Sequence, residues 1–445
     1  MVGSVTDSPA FRILVQRFLA DGSPDTTCNG TGQFIDTAND AVVSDVVVLS
    51  DGSFIVAGTI QINNKGTLFL AKFTSTCEID DSFGDGSFSN GGFATYSSDN
   101  STAGTALAVQ SNGSIIVAGY ENDISDGGAQ RILVTRFTPS GILDNNSFGS
   151  NGRLTPSISE DGRALDVIID SDGRIIFAGL VIGPSGQEMA IVGRLTSDGR
   201  LDSTFDIKGY LIDDFDGEAR LNAIAIRPNG NLVAVGTYGG TVPFTQQSPI
   251  VVCLTQSGVF DTACGAQGWR YFPTINRDDF GDDVFVTADN KTLISGISDG
   301  GSPEPIVMRL DDTGAVDSDF ATSGTWNGSP FNDRLHAVSV QSDGRVIAAG
   351  AFNAQGILNL AVVRLANTVT LPTTTTTTTT TIVAVTTSTM VANSIATTTI
   401  PLVVTTTLAP DQLPETGQQV NVLTVPVALF GLGILLLAMR RRALR

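Results

Sequence analysis

The chain has 445 residues and a formal net charge of −20, with 45 acidic against 25 basic residues. This charge argues against nucleic acid and anionic lipid as partners, because both are themselves negatively charged. One histidine and four cysteines, with no Cys-x-x-Cys pair, leave little material for a histidine-based catalytic set or a zinc site.

The chain begins with MVGSVTDSPA, which lacks the basic and apolar regions of a secretory signal. The C-terminal features described below require export, so we interpret this beginning as a truncation or a mis-called start. A strand-like run, ILVQRF at residues 13–18, follows without a preceding hairpin. We therefore assign residues 1–34 to a partial first repeat.

Residues 35–366 contain a repeated unit, as the stretch SDGRIIFAG shows. An apolar alternating run leads, in five of six units, into an Asp-Gly or Asn-Gly pair, which favours a type I′ hairpin; the fifth unit has Asp289-Asn290-Lys291 instead. A β-branched run then ends at a glycine, and an LxxRF strand, a DGxLDxxFG turn and a last short strand follow. The glycines, spaced by 61, 60, 57, 60 and 54 residues, are Gly58, Gly119, Gly179, Gly236, Gly296 and Gly350. Four strands at this period predict an all-β fold, with each unit as one blade of a β-propeller.

The DGxIxxAG hairpin, the LxRF strand and the LDxxFG turn resemble the delta-60 repeat of bacterial secreted and surface proteins. The resemblance covers residues 11–365 and implies a β-propeller, but no agreed activity. Six hairpins indicate six four-stranded blades, with the strand near Phe34 completing the last one. Seven copies of the LxxRF strand indicate seven blades instead, the first having lost its hairpin. Both counts remain open from the sequence.

The four cysteines are Cys28, Cys77, Cys253 and Cys264. Cys28 and Cys264 occupy the phenylalanine position of the LDxxF turn. In an oxidising compartment the local pairings are Cys28 with Cys77 and Cys253 with Cys264. The alternative is four buried thiols that replace core phenylalanines.

Alternate units place an aspartate on the first strand: Asp45, Asp166 and Asp283. Three carboxylates directed at a shared axis would suit Ca²⁺. The other interpretation, which we favour, is that each aspartate bonds a backbone amide of a neighbouring blade, so that no cofactor is needed. His336 stands one residue before the equivalent position of the last unit and has no partners of a catalytic set nearby in the repeat alignment, so no catalytic residue is assigned.

A threonine tract follows the repeats over residues 367–412 and contains nine consecutive threonines. It has almost no charge and no period, so it predicts a disordered stalk, with O-linked sugars as an option. Residues 420–439 carry no charge and match the length of a transmembrane helix, and residues 440–445 form a basic cytoplasmic tail.

The stretch before this span resembles the LPxTG sorting signal of Gram-positive surface proteins. Its residues are Leu413, Pro414, Glu415, Thr416 and Gly417. The resemblance implies that a sortase cleaves between Thr416 and Gly417 and joins Thr416 to a peptidoglycan precursor. The protein would be membrane-bound only before sorting. A simple membrane anchor is the other interpretation of the span.

We therefore expect a non-enzymatic, wall-anchored propeller that binds an unknown extracellular ligand through its loops. The longest variable loops are residues 121–131 and 237–249, and the second, with Phe244, is the expected contact patch. The alternative is a secreted hydrolase or lyase that acts on extracellular polymer with carboxylates or calcium. A purely structural wall component is a third possibility.

Overall fold

The computed structural model describes the following residues: 1–7, 10–86, 91–123, 127–156, 158, 161–240, 246–265, 267–273, 278–301, 303–328, 334–354, 357–365, 387–391, 394–398, 420–426 and 437–438. In this part of the chain, seven four-stranded antiparallel sheets follow one another as the blades of a propeller, beside one two-stranded hairpin.

Blade four shows why these sequences form strands. Its strands, from inner to outer, are Gly162–Ile169, Ile175–Ile182, Glu188–Leu195 and Tyr210–Asp213. The second strand is apolar and buried at seven of eight positions rather than at every other one. A strand that has a neighbouring sheet on both faces needs this pattern, because neither face meets water. The described residues accordingly form seven apolar clusters, one at each blade junction.

Blades two, three, five and six have the same plan. The strands of blade two are Ala41–Val48, Phe54–Ile62, Lys65–Phe73 and Phe93–Tyr96, and those of blade three are Ser101–Val109, Ile115–Asp123, Ala129–Phe137 and Arg153–Leu154. The strands of blade five are Gly217–Ile226, Leu232–Gly240, Gln247–Leu254 and Trp269–Tyr271, and those of blade six are Asp278–Val286, Thr292–Asp299, Pro303–Leu310 and Thr325–Asn327. A short 3-10 helix, Thr262–Cys264, lies in blade five.

Blades one and seven close the ring. Blade one contributes Val2–Asp7, Ala10–Gln16 and Gln33–Ile35, and blade seven contributes Leu335–Val340, Val346–Ala354 and Ile357–Leu365. The strand at Phe34 thus completes blade one. The six-blade prediction, in which this strand completes the last blade, is therefore wrong. The missing inner strand of blade one and outer strand of blade seven come from Leu437–Ala438 and Val420–Pro426.

These last two strands lie in the segment for which the sequence predicts a membrane helix. Outside a bilayer, the open edges of blades one and seven offer backbone groups with which an apolar segment can pair. Among the described residues, no helix has the length and hydropathy needed to span a membrane. In the threonine tract, Thr387–Val391 pairs with Ser394–Thr398, as suits β-branched residues. The rest of residues 366–445 lies outside the described part.

A β-bulge interrupts the inner strand at the same position in blades two to seven, between Ala164 and Asp166 in blade four. The bulge brings the inner-strand backbone against the repeat glycine of the second strand. A Cβ at Gly179 would lie 2.0 Å from the Arg163 carbonyl oxygen, and the other five glycines have the same clash within 0.1 Å. The glycine that defines the repeat is therefore required by the bulge.

The hairpin loops differ from the predicted type I′ turns. In blade two, the Gly52 amide donates to the Leu49 carbonyl at 3.0 Å, and the Leu49 amide donates to the Ser53 carbonyl at 2.8 Å. Gly52 alone has a positive φ, of 82°, whereas a type I′ turn needs two such residues. The Asp-Gly pair instead ends a longer loop, with the glycine in the last position.

Candidate functional site

The inner-strand aspartates link neighbouring blades. Oδ2 of Asp45 accepts the amide of Leu107 at 2.8 Å, and Oδ2 of Asp166 accepts that of Ile224 at 2.7 Å. Asp283 accepts the Val338 amide at 2.9 Å. Each aspartate therefore accepts a hydrogen bond from a backbone amide of the next blade, which is the contact that we favoured from the sequence. Within the described residues, no three metal-ligating side chains lie together.

The alternation of aspartate and alanine follows from this bond. The amides that donate to these carboxylates each follow an alanine: Leu107 follows Ala106, Ile224 follows Ala223, and Val338 follows Ala337. The small side chain leaves room for the neighbour's carboxylate. At two of the alternate junctions the side chain is the donor. Asn222 Nδ2 donates to the Gly281 carbonyl at 2.8 Å, and Thr105 Oγ1 donates to the Ala164 carbonyl at 2.7 Å. These polar side chains of the inner strands therefore hold neighbouring blades together.

Replacing Asp166 with alanine is expected to lower the free energy of unfolding by about 3 kcal/mol, because the buried amides of Val167 and Ile224 lose their acceptor. Urea unfolding of the variant and the parent, each with and without EDTA, measures this. EDTA is expected to leave the parent unchanged. A loss of parent stability in EDTA similar to that of Asp166→Ala would instead indicate a calcium site.

His336 lies at the bulge of blade seven and is half-buried. Removal from water lowers its pKa, an effect that nearby Asp282 opposes. Its Nδ1 is 3.8 Å from Asp282 Oδ2, too far for a hydrogen bond. Asp282 is instead paired with Arg334, which also lies over the Phe280 ring. The arrangement resembles an ion pair of the scaffold more than a poised general base.

The cysteines form both of the local pairings that the sequence offered. Cys28 and Cys77 join blade one to blade two, and Cys253 and Cys264 lie within blade five. All four are buried. Arg227, which is 4 % exposed, donates to both sulfur atoms of the second pair. In blade five, Cys253 occupies the position of the LxxRF arginine, and Arg227 supplies a guanidinium there from a different strand end.

A polar cleft of about 640 Å³ lies between blades two and three. Its floor is Glu121, which is 6 % exposed and accepts hydrogen bonds from Ser98 at 2.6 Å and Arg153 at 3.0 Å. Arg153 also donates to the Tyr96 hydroxyl at 2.6 Å, and burial raises the pKa of Tyr96. These groups bond one another, which leaves Asp99, Asn145 and Asn151 at the cleft for a polar ligand.

Three aromatic rings form a surface patch on blade five, which we call the aromatic patch: Tyr238, Trp269 and Tyr271. The ring centroids of Tyr238 and Tyr271 are 4.9 Å apart, and those of Trp269 and Tyr271 are 6.3 Å apart. Tyr271 is 41 % exposed and the other two are half-buried. Phe215, 5.2 Å from Trp269, supports the patch from below.

The aromatic patch lies at the base of the expected contact loop, residues 237–249. The tip of that loop, with Phe244, lies outside the described residues, as do the five residues of the sorting motif, Leu413 to Gly417. Sequence reasoning missed Trp269 and Tyr271. The available signal was their i, i+2 spacing in a short last strand, which puts both rings on one face. The same strand of blade three is only Arg153–Leu154.

Comparisons with known proteins agree with the fold. A family model described as a β-propeller domain of unknown function, DUF5122, matches residues 110–146, 171–205, 287–320 and 341–368. The first three segments each run from the hairpin loop through the third strand into the LDxxF turn of a blade, and the fourth covers the hairpin and third strand of blade seven. The narrower delta-60 assignment stays a prediction. No curated protein matches the chain.

Solved structures similar to the chain include a protein of unknown function from Dyadobacter fermentans, at 11 % identity and a TM-score of 0.41, covering 75 % of this chain and 92 % of that one. A PL25 polysaccharide lyase, an ulvan lyase, has 12 % identity and a TM-score of 0.43, with coverage of 71 % and 78 %. A GH32 β-fructofuranosidase from Bombyx mori has 10 % identity and a TM-score of 0.32, with coverage of 73 % and 76 %. At such identities and scores the likeness carries no argument about activity.

Proposed function

We propose that the chain is a Gram-positive cell-surface propeller, anchored to the cell wall, that binds an extracellular ligand through its blade loops without catalysis. The observation that carries the binding role is the aromatic patch. Its rings are partly exposed beside a long variable loop, whereas the inner-strand carboxylates serve the scaffold. Exposed aromatic groups on a rigid scaffold are typical of binding surfaces.

The anchoring role rests on the C-terminal sequence. Leu413 to Gly417 would be the sortase substrate, the apolar span would hold the chain in the membrane until cleavage, and the threonine tract would be the stalk. In a bilayer the span would be helical, because a helix satisfies its backbone groups internally. Cleavage after Thr416 removes the two strands at residues 420–438.

Blades one and seven also have contacts of their own, which would keep the ring closed after cleavage. Arg364 of blade seven donates to the Ala20 carbonyl of blade one. Val5 and Leu14 of blade one form an apolar cluster with Ala351 of blade seven. The proposed mature protein is thus a propeller whose junction between the first and last blades needs no residue beyond Thr416.

Fractionation of cells that express the full chain behind a secretory signal peptide tests the anchoring role. In a host with a sortase, the parent is expected in the wall fraction, and Pro414→Ala in the membrane fraction or the medium. Pro410→Ala, a proline outside the pentapeptide, is the matched control and is expected in the wall. Identical fractionation of all three proteins would refute sortase anchoring.

A further inference from the structure

The scaffold repeatedly binds a cation between a ring and a carboxylate. In blades three, four and six, an arginine lies 4.8 Å over a phenylalanine ring and pairs with the aspartate of the LDxxF turn: Arg136 with Phe148 and Asp144, Arg194 with Phe205 and Asp202, and Arg309 with Phe320 and Asp317. The ring face and the carboxylate both attract the guanidinium.

The aromatic patch also has carboxylates near its rings, but among the described residues no cation occupies it. Asp213 ends the last strand of blade four, and Asp214 and Asp216 lie in the turn that leads to blade five; among the described residues none of the three takes part in an ion pair. Two arginines close in sequence to the patch are engaged elsewhere: Arg220 pairs with Glu188 at 3.7 Å, and Arg270 donates to the Gly314 carbonyl at 3.1 Å. No cation–π contact involves the patch in this part of the chain.

The turn fixes these carboxylates beside the rings. Phe215, two residues before the strand that begins at Gly217, is 2 % exposed, and its ring centroid lies 5.2 Å from that of Trp269. The Gly217 amide closes the turn on the Asp214 carbonyl at 2.9 Å. Asp214 and Asp216 flank this buried ring in the sequence, and both act electrostatically on Tyr238 of the patch. Their charges also help burial to raise the pKa of Tyr238.

We propose that the aromatic patch, with Asp214 and Asp216, binds lysine or arginine side chains of a basic segment in a partner protein. The inference rests on the proposed binding role and names its partner chemistry. A cation gains from the ring faces and from two carboxylates that have no ion-pair partner in the described part of the chain. An anionic polymer would be repelled here by a chain of net charge −20.

The test measures binding of labelled (Gly-Lys)6 and (Gly-Arg)6 peptides to the purified full chain, with (Gly-Glu)6 and chitohexaose as the other ligand classes. Both basic peptides are expected to bind and to change the emission of Trp269, since the second tryptophan, Trp326, is 4 % exposed. Tyr271→Ser and Asp216→Asn are each expected to weaken binding about tenfold.

The matched controls remove similar groups away from the patch. Ile142→Ser replaces a residue of blade three that is 44 % exposed, and Asp289→Asn removes one exposed charge from the hairpin of blade six. Both are expected to change affinity less than twofold. Equal weakening by Asp216→Asn and Asp289→Asn would show mere attraction to an acidic surface and would overturn the proposed site.

Binding of chitohexaose but not of the basic peptides would overturn the ligand class and leave the binding role intact. Because the assay uses purified protein, its result is independent of wall anchoring. Conversely, a failure of Pro414→Ala to change fractionation would not affect peptide binding. The two proposals can therefore fail separately.

Discussion

Replacing Gly179 with alanine is expected to lower the free energy of unfolding by about 4 kcal/mol. The new Cβ would lie 2.0 Å from the Arg163 carbonyl oxygen and 3.0 Å from the Ala164 Cα. Both contacts are with backbone atoms of the bulge, in the strand that is hydrogen-bonded to the strand of Gly179, so no side chain can move to relieve them. The midpoint of urea unfolding, followed by circular dichroism, measures the loss.

Gly239→Ala is the matched control for this prediction. Gly239 lies in the second strand of blade five, and its nearest contact would be Gln247 Cγ at 3.9 Å. Alanine there is expected to change stability by less than about 0.5 kcal/mol. If Gly179→Ala proved as mild as Gly239→Ala, the bulge would not be the reason for the repeat glycine.

Removing the Cys28–Cys77 bridge by replacing both residues with alanine is expected to cost about 4 kcal/mol. The bridge closes 49 residues and ties blade one, which has only three strands from its own repeat, to blade two. Without it, the unfolded chain gains conformational freedom that the folded ring does not. Thermal unfolding in oxidising buffer compares the double variant with the parent.

Two controls accompany this measurement. Removing Cys253–Cys264 opens only 11 residues and is expected to cost about 3 kcal/mol on the same loop-closure argument. A reductant should lower the melting temperature of the parent more than that of either double variant. A parent whose melting temperature is the same with and without reductant would contradict a structural role for both bridges.

The sequence predicts the blades well because the repeat is local. The alternating run, the Asp-Gly pair and the LxxRF strand each lie within about ten residues, so periodicity and turn chemistry identify them. The prediction of type I′ turns was wrong because Asp-Gly also suits longer loops, in which only the glycine has a positive φ. The number of blades was open because it depends on whether the strand at Phe34 pairs with residues 10–16 or with residues 357–365, and only tertiary structure decides this.

The site was harder to predict than the fold. The role of Asp166 depends on the amide of Ile224, 58 residues away, and no local pattern reports that contact. Tyr238 and Tyr271 are likewise brought together by sheet register rather than by sequence proximity. The sequence drew attention to the loop at residues 237–249, where a variable insertion is visible, but not to the rings beneath it.

Mass spectrometry of the protein released from native cell walls by muramidase tests the proposed wall display most directly. The proposal predicts a C-terminal peptide that ends at Thr416 and carries a peptidoglycan stem peptide. A protein recovered from the membrane with residues 417–445 still attached would contradict it. The propeller and the aromatic patch would stand, but the display of that patch from the cell wall would not.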